Sequence, residues 1–231
     1  PTSSFPTFII EAVFKPIEKL SGECWELCTF KYQDKEILLV VTNDNISMIT
    51  ENNRVINIMN GSVYDIYQSR LDPARIYVGL VDGLTSLYYQ KGNWVKEKQI
   101  EGIDASISNI TEDFLGNIWM GTLDQGVLKM NIKSIIDKRI DKVEIFKFDT
   151  IHGLPNGQTI VSEISGRPYI GTSKGIYEFL ALQNRFEPDS SFGIEFADGS
   201  HYIHRISKIN DKEIWMVTVA ENSKNKYRIG Y

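Results

Sequence analysis

Short apolar runs bounded by turn residues extend along the whole chain and read as β-strands, with little helical periodicity between them. Ile107-Ser-Asn-Ile-Thr-Glu112 is followed by Asp113-Phe-Leu-Gly-Asn117, and Val63-Tyr-Asp-Ile-Tyr67 by Leu71-Asp-Pro-Ala-Arg75. Tyr202-Ile-His-Arg-Ile-Ser207 leads in the same way into Asn210-Asp-Lys212. Asp, Asn, Gly and Pro tolerate or preset turn dihedrals, so each pair predicts a strand entering a hairpin. Second turns follow at Asn43-Asp-Asn45, Val81-Asp-Gly83, Leu123-Asp-Gln-Gly126 and Ser173-Lys-Gly175. Third strands are predicted at Leu84 to Tyr89 and Ile176 to Phe179, and fourth strands at Trp94 to Glu97 and Glu144 to Phe148. The one helix-compatible stretch, Ile132 to Asp141, is short and reads as an excursion between strands.

The second strand of each unit repeats an anchor, an aromatic two residues before a Gly or Val. It occurs in Ile76-Tyr-Val-Gly79, Ile118-Trp-Met-Gly121, Tyr169-Ile-Gly171 and Ile214-Trp-Met-Val217, with Leu39-Val-Val41 as a weaker copy. Anchors at positions 41, 79, 121, 171 and 217 are 38 to 50 residues apart, the period of a four-stranded propeller blade. The fold expected is therefore all-β: a β-propeller of four-stranded antiparallel blades, about five of them, closed or as an arc of a larger ring. A β-sandwich also has short, evenly spaced strands, but it would not repeat this anchor at blade period. A β-helix would need shorter coils. The blades are expected at about 23–58, 62–98, 105–149, 159–196 and 201–231 of a single domain, the last with three strands. Phe8 to Lys15 could supply its missing outer strand. Gly79, Gly121 and Gly171 are expected to let neighbouring blades approach closely. Tyr77, Trp119, Tyr169 and Trp215 share one repeat position, which reads as inter-blade packing more than as a platform for sugar.

Composition narrows the function classes. The chain has 231 residues, 42% hydrophobic and 11% aromatic, enough for a sizeable core. Its net charge is −5 with the two signs interspersed, so no basic track for nucleic acid exists. No apolar run reaches the roughly 18 residues of a membrane span. The two cysteines, Cys24 and Cys28, would lie roughly 13 Å apart on one strand at about 3.3 Å per residue, too far to bridge. They read as small buried apolar residues and do not fix a compartment. The start at Pro1 and the end within Tyr-Arg-Ile-Gly-Tyr231 suggest a piece of a longer protein.

Ile107-Ser-Asn-Ile-Thr-Glu-Asp113 followed by Gly116-Asn-Ile-Trp-Met-Gly-Thr122 resembles the two-component regulator propeller repeat. Gly153-Leu-Pro-Asn156, Tyr169-Ile-Gly-Thr172 and Gly175-Ile-Tyr177 resemble it too. Phe186 to Phe192 and Phe196 to Ser200 look like connectors in large bacterial sensors of this type. The strong match covers about 105–200, and Val41 and Val217 depart from the anchor glycine. The resemblance implies the extracytoplasmic, periplasmic sensory part of a bacterial two-component receptor. It implies no catalysis by this segment; a histidine kinase would belong to other parts of such a protein.

The candidate chemistry is sparse. His201 and His204 are three apart, which on a regular strand sends them to opposite faces, and no metal site or cofactor is expected. His152 reads as a surface turn residue. No nucleophile elbow occurs. Asp65, Glu112, Asp113 and Glu163 lie on or beside predicted inner strands, which keeps a propeller glycosidase or lyase open as a third reading after a sensor and a protein–protein scaffold. Propellers bind at the channel mouth, and the residues placed there are Trp25, Asn60, Tyr64, Asn156 and Tyr202. The partners expected are a small-molecule or carbohydrate ligand, other domains of the receptor and, in the full-length protein, a second copy; nucleic acid and membrane contact are not expected.

Overall fold

A computed structural model describes residues 17–18, 20, 22–132, 143–210, 213–220 and 227–230. The suggested strand at 8–15 lies outside these residues, as does nearly all of the helix-compatible stretch at 132–141. Five antiparallel sheets follow one another along the chain. The first holds β1 (Cys24–Tyr32), β2 (Lys35–Thr42), β3 (Asn45–Ile49) and β4 (Val55–Asn60). The second holds β5 (Val63–Gln68), β6 (Arg75–Leu80), β7 (Gly83–Gln90) and β8 (Asn93–Lys96). The third holds β9 (Ile107–Glu112), β10 (Asn117–Thr122), β11 (Val127–Asn131) and β12 (Ile145–Phe148). The fourth holds β13 (Ile160–Ile164), β14 (Arg167–Thr172), β15 (Gly175–Leu180) and β16 (Arg185–Pro188). The fifth holds β17 (His201–Lys208), β18 (Ile214–Ala220) and β19 (Tyr227–Gly230).

Within each sheet the strands pair in sequence order, and the first strand of each packs beside the first strand of the next. The chain is thus a β-propeller arc with β1, β5, β9, β13 and β17 innermost. Apolar clusters fill the spaces between successive sheets: Phe30, Leu39 and Val41 of the first blade meet Val63, Ile66 and Val78 of the second. Trp119, Val127 and Phe148 of the third meet Val161, Ile170 and Phe186 of the fourth.

The anchor glycines lie where the next innermost strand arrives. A Cβ on Gly121 would stand 2.4 Å from the Thr159 carbonyl oxygen. One on Gly79 would stand 2.9 Å from Ile107 Cγ2, and one on Gly171 2.8 Å from Ile203 Cγ2. The ring two residues earlier is covered by the following blade, so Tyr77 and Trp119 are each only 1% exposed. Trp215 differs, with 43% exposure. Among the described residues no blade follows the fifth, whereas the fourth blade packs on Trp119.

Two smaller expectations are corrected. Arg185–Pro188, overlapping the segment read as a connector, is the fourth strand of its blade. Pro188 is tolerated because an outermost strand needs no N–H on its free edge. Cys24 is exposed instead of buried, since it opens β1 at the end of the arc; both cysteines are free thiols.

Candidate functional site

The five innermost strands line a cavity of about 580 Å³ on the inner side of the arc. Its walls are mostly polar because of an irregularity that four of the strands share. The register of β1 against β2 shifts between Cys24 and Glu26, and that of β5 against β6 between Val63 and Asp65. The β9–β10 register passes from Asn109 to Ile107, and the β17–β18 register from Ile203 to Arg205. Each shift is a β-bulge that leaves one extra residue: Trp25, Tyr64, Ser108 and His204. A bulge kinks its strand and re-aims side chains. Here it lets Val63 and Ile66, Ile107 and Ile110, and Ile203 and Ile206 all be buried although each pair is three apart. The two residues between each pair line the inner cavity: Tyr64 and Asp65, Ser108 and Asn109, His204 and Arg205. Trp25 and Glu26 do the same on β1.

The residues after the bulges tie neighbouring blades together. Asn109 Nδ2 donates to the Val161 carbonyl at 2.6 Å, and its Oδ1 accepts from Val161 N at 2.8 Å. Asp65 Oδ2 accepts from Ile110 N at 2.7 Å. Asp65 also shares a hydrogen bond with the Glu26 carboxyl, which requires a proton between the two. Burial pushes the Asp65 carboxyl well above the usual carboxylate range, and the Glu26 hydrogen bond and charge add to this; the Ile110 N–H and the Arg205 charge oppose it. The same surroundings, burial first and then the Glu26 and Asp65 charges, push the Cys28 thiol up to about 11, so it is inert as a nucleophile at neutral pH.

One end of the cavity is spanned by ion pairs. Arg70 Nη1 lies 3.3 Å from Glu163 Oε2, and Lys208 Nζ lies 3.8 Å from Glu163 Oε1, which links the second, fourth and fifth blades. Glu112 accepts from Ser69 Oγ at 3.1 Å and from the backbone of Arg70 at 2.8 Å and Leu71 at 3.2 Å. Asp113 accepts from the backbone of Leu115 and Asn117, from Asn117 Nδ2 and from Trp119 Nε1. Glu112, Asp113 and Glu163 are therefore all committed to holding turns and blades in place.

At the other end stand aromatic rings. Trp25 and Tyr64 meet edge to face with centroids 5.8 Å apart, and Trp25 is 49% exposed. The Tyr202 hydroxyl donates to Gln158 Oε1 at 3.0 Å, and Gln158 lines the cavity. Of the five residues placed at the mouth from sequence, Trp25 and Tyr64 line the cavity and Tyr202 sits at its rim. Asn60 and Asn156 do not line it. Asn60 ends the outermost strand of its blade and accepts from Asn57 Nδ2 at 2.6 Å; the Asn156 carbonyl accepts from Ser173 Oγ at 3.4 Å, beside the β14–β15 turn. Glu26 and Arg205 were not singled out from sequence. The signal for Arg205 was present in Ile203-His-Arg-Ile206: two apolar residues three apart in a strand imply a bulge between them.

His201 and His204 have separate surroundings. His201 packs on Phe196 at 5.4 Å, and His204 lies beside Tyr202 at 5.7 Å. Among the described residues no group of three or more His, Cys, Asp or Glu is placed to hold a metal ion. No helix among them is long and apolar enough to cross a membrane. A second cavity, about 470 Å³ and more apolar, lies between the third and fourth blades beside Trp119 and Phe179.

No family model matches the chain, and no curated protein matches it. Among solved structures it is similar to an extracellular domain assigned to the hybrid two component system BT3049 of B. thetaiotaomicron. That likeness has a TM-score of 0.64 at 16% identity and covers 94% of this chain and 31% of the other. The extracellular domain assigned to the hybrid two component system BT4673 of the same organism gives a TM-score of 0.63 at 16% identity, covering 86% and 26%. The chain thus spans a quarter to a third of the length of those domains. A streptogramin B lyase is similar at a TM-score of 0.57 and 14% identity, covering 90% and 74%. At these identities the likeness is one of fold. It agrees with the β-propeller blades expected from the repeat along the chain.

Proposed function

We propose that this chain is a ligand-recognition segment of an extracytoplasmic, periplasmic bacterial sensor, that it binds in its inner cavity, and that it does not catalyse. The observation that carries this reading is the shared bulge. Four innermost strands each spend an extra residue at the same place, and the result is a polar-walled cavity with exposed aromatic rings at one end. Aromatic faces beside hydroxyl-binding carboxyl, amide and guanidinium groups suit a saccharide.

The carboxyl arrangement supports binding over hydrolysis. A glycosidase needs its two carboxyls about 5 to 9.5 Å apart, flanking the scissile bond. Burial and the neighbouring Glu26 carboxyl hold Asp65 towards its neutral form, which favours a binding wall over a pair of separated catalytic carboxyls. A sensor must also bind differently in its two signalling states. Packed blades are a poor two-state element, so the switching contact belongs between this arc and neighbouring parts of a receptor.

Calorimetric titration with an oligosaccharide panel, with product analysis of each mixture, tests the reading. Binding without cleavage is expected, weakened several-fold to about tenfold by Trp25→Ala, which removes an aromatic contact of about 0.5–1.5 kcal/mol. Release of a cleaved product by the chain would refute it.

A further inference from the structure

We infer that Arg205 is the anion-recognition point of the inner cavity and that the saccharide bound there carries a carboxylate or sulfate group. This rests on the recognition reading above and narrows its ligand. The first ground is placement. On a regular strand Arg205 would share a face with Ile203, which is fully buried against the fourth blade. The bulge at His204 frees Arg205 from that face, hands the buried place to Ile206, and leaves the guanidinium exposed on the cavity wall.

The second ground is chemistry. Asp65 and Asn109 hold the same place after their bulges, and each is bound by the backbone of the next innermost strand. Arg205 is longer and charged, and the acidic side chains that share its cavity are Glu26 and Asp65, the second of which feels the Arg205 charge. A guanidinium is always charged and presents a planar fork of donors that matches a carboxylate or sulfate in two parallel hydrogen bonds. Its facing wall offers Glu26 as an acceptor for sugar hydroxyls, and the Trp25–Tyr64 pair offers an apolar edge for the ring. An anionic sugar would use all three at once. A neutral sugar would use only the last two.

Three oligosaccharides of equal length, one neutral, one with a uronate and one sulfated, titrated into the chain by calorimetry, provide the test. At least one acidic sugar should bind about tenfold or more tightly than the neutral one; which one does so identifies the anion. Arg205→Gln should abolish that preference without lowering the melting temperature, and Lys91→Gln, at an exposed turn, should leave the preference intact. Equal affinity for all three sugars, or a preference that survives Arg205→Gln, would overturn the assignment. If neutral sugars bind and depend on Trp25, the recognition reading stands and only the anion role falls. If no saccharide binds, both fall. If Arg205→Gln lowers the melting temperature of a longer receptor ectodomain without changing its sugar preference, Arg205 is an inter-blade clasp like Asn109, and the anion role falls.

Discussion

Asp65 and Asn109 occupy the same place in successive blades, yet one is an acid and the other an amide. Asn109 satisfies the next strand with a donor and an acceptor and carries no charge. Asp65 accepts from Ile110 N and can satisfy Glu26 only while a proton lies between them. Because burial raises the Asp65 pKa in the folded state, the folded protein keeps a proton that the unfolded chain loses near pH 4. Stability should then fall as pH rises from about 4 through the raised value, and stay low above it. Asp65→Asn imitates the protonated acid and removes this slope. The variant should be more stable than the parent at pH 8 by on the order of 1 kcal/mol, and the gap should narrow towards pH 4. Urea melts across that range would check it, and a variant less stable than the parent at pH 8 would contradict the shared proton. Asp65 was visible in the sequence as an acid on an inner strand. Its partner Glu26 was not, because Glu26 and Asp65 belong to strands of different blades and no spacing along the chain brings them together.

The second strand of each blade was the most legible element, and its chemistry explains why. Trp119 must be large to reach across to the fourth blade, and Gly121 must be small to admit Thr159, so both are pinned to fixed places in a repeat. Gly121→Val should destabilise by about 1–3 kcal/mol through overpacking, because the added atoms meet backbone and have nowhere to move. Asp113→Ala should cost about 2–3 kcal/mol, since it orphans the buried Trp119 Nε1 and Asn117 donors, and its effect should overlap with that of Trp119→Ala. Chemical denaturation of the two single variants and the double variant measures both effects; strict additivity would show that the indole does not depend on the carboxylate. The innermost strands were harder to read. Strict alternation assigns alternate residues to opposite faces, and a bulge reverses that assignment from its position onward. Asn60 and Asn156 were placed at the mouth from their position between strands, but the Asn60 side chain bonds Asn57 on the outermost strand of its blade, and the Asn156 carbonyl accepts from Ser173 beside the β14–β15 turn.

At the scale of the whole molecule the anchor position acts as a probe of what covers each blade. Trp119 is 1% exposed beneath the fourth blade, whereas Trp215 is 43% exposed in the fifth. Val217 and, across the β18–β19 pairing, Ile229 share its face, so an apolar strip runs along the last of the described blades. Val217 in place of glycine does not bar a further blade there, because Val41 holds the corresponding place in the first blade and is fully buried against the second. The two tryptophans should therefore respond differently to the same substitution. Trp119→Ala opens a cavity in a closed space and should cost about 3–5 kcal/mol. Trp215→Ala leaves no enclosed void and forfeits only the part of the indole that is covered, about 1–2 kcal/mol. Urea melts of the two variants at low protein concentration separate the cases. Equal losses would mean that Trp215 is covered in solution, so that the fifth blade is not an open end. A small loss at Trp215 would leave its face available for the next blade of a longer propeller, where the same substitution should then cost as much as it does at Trp119.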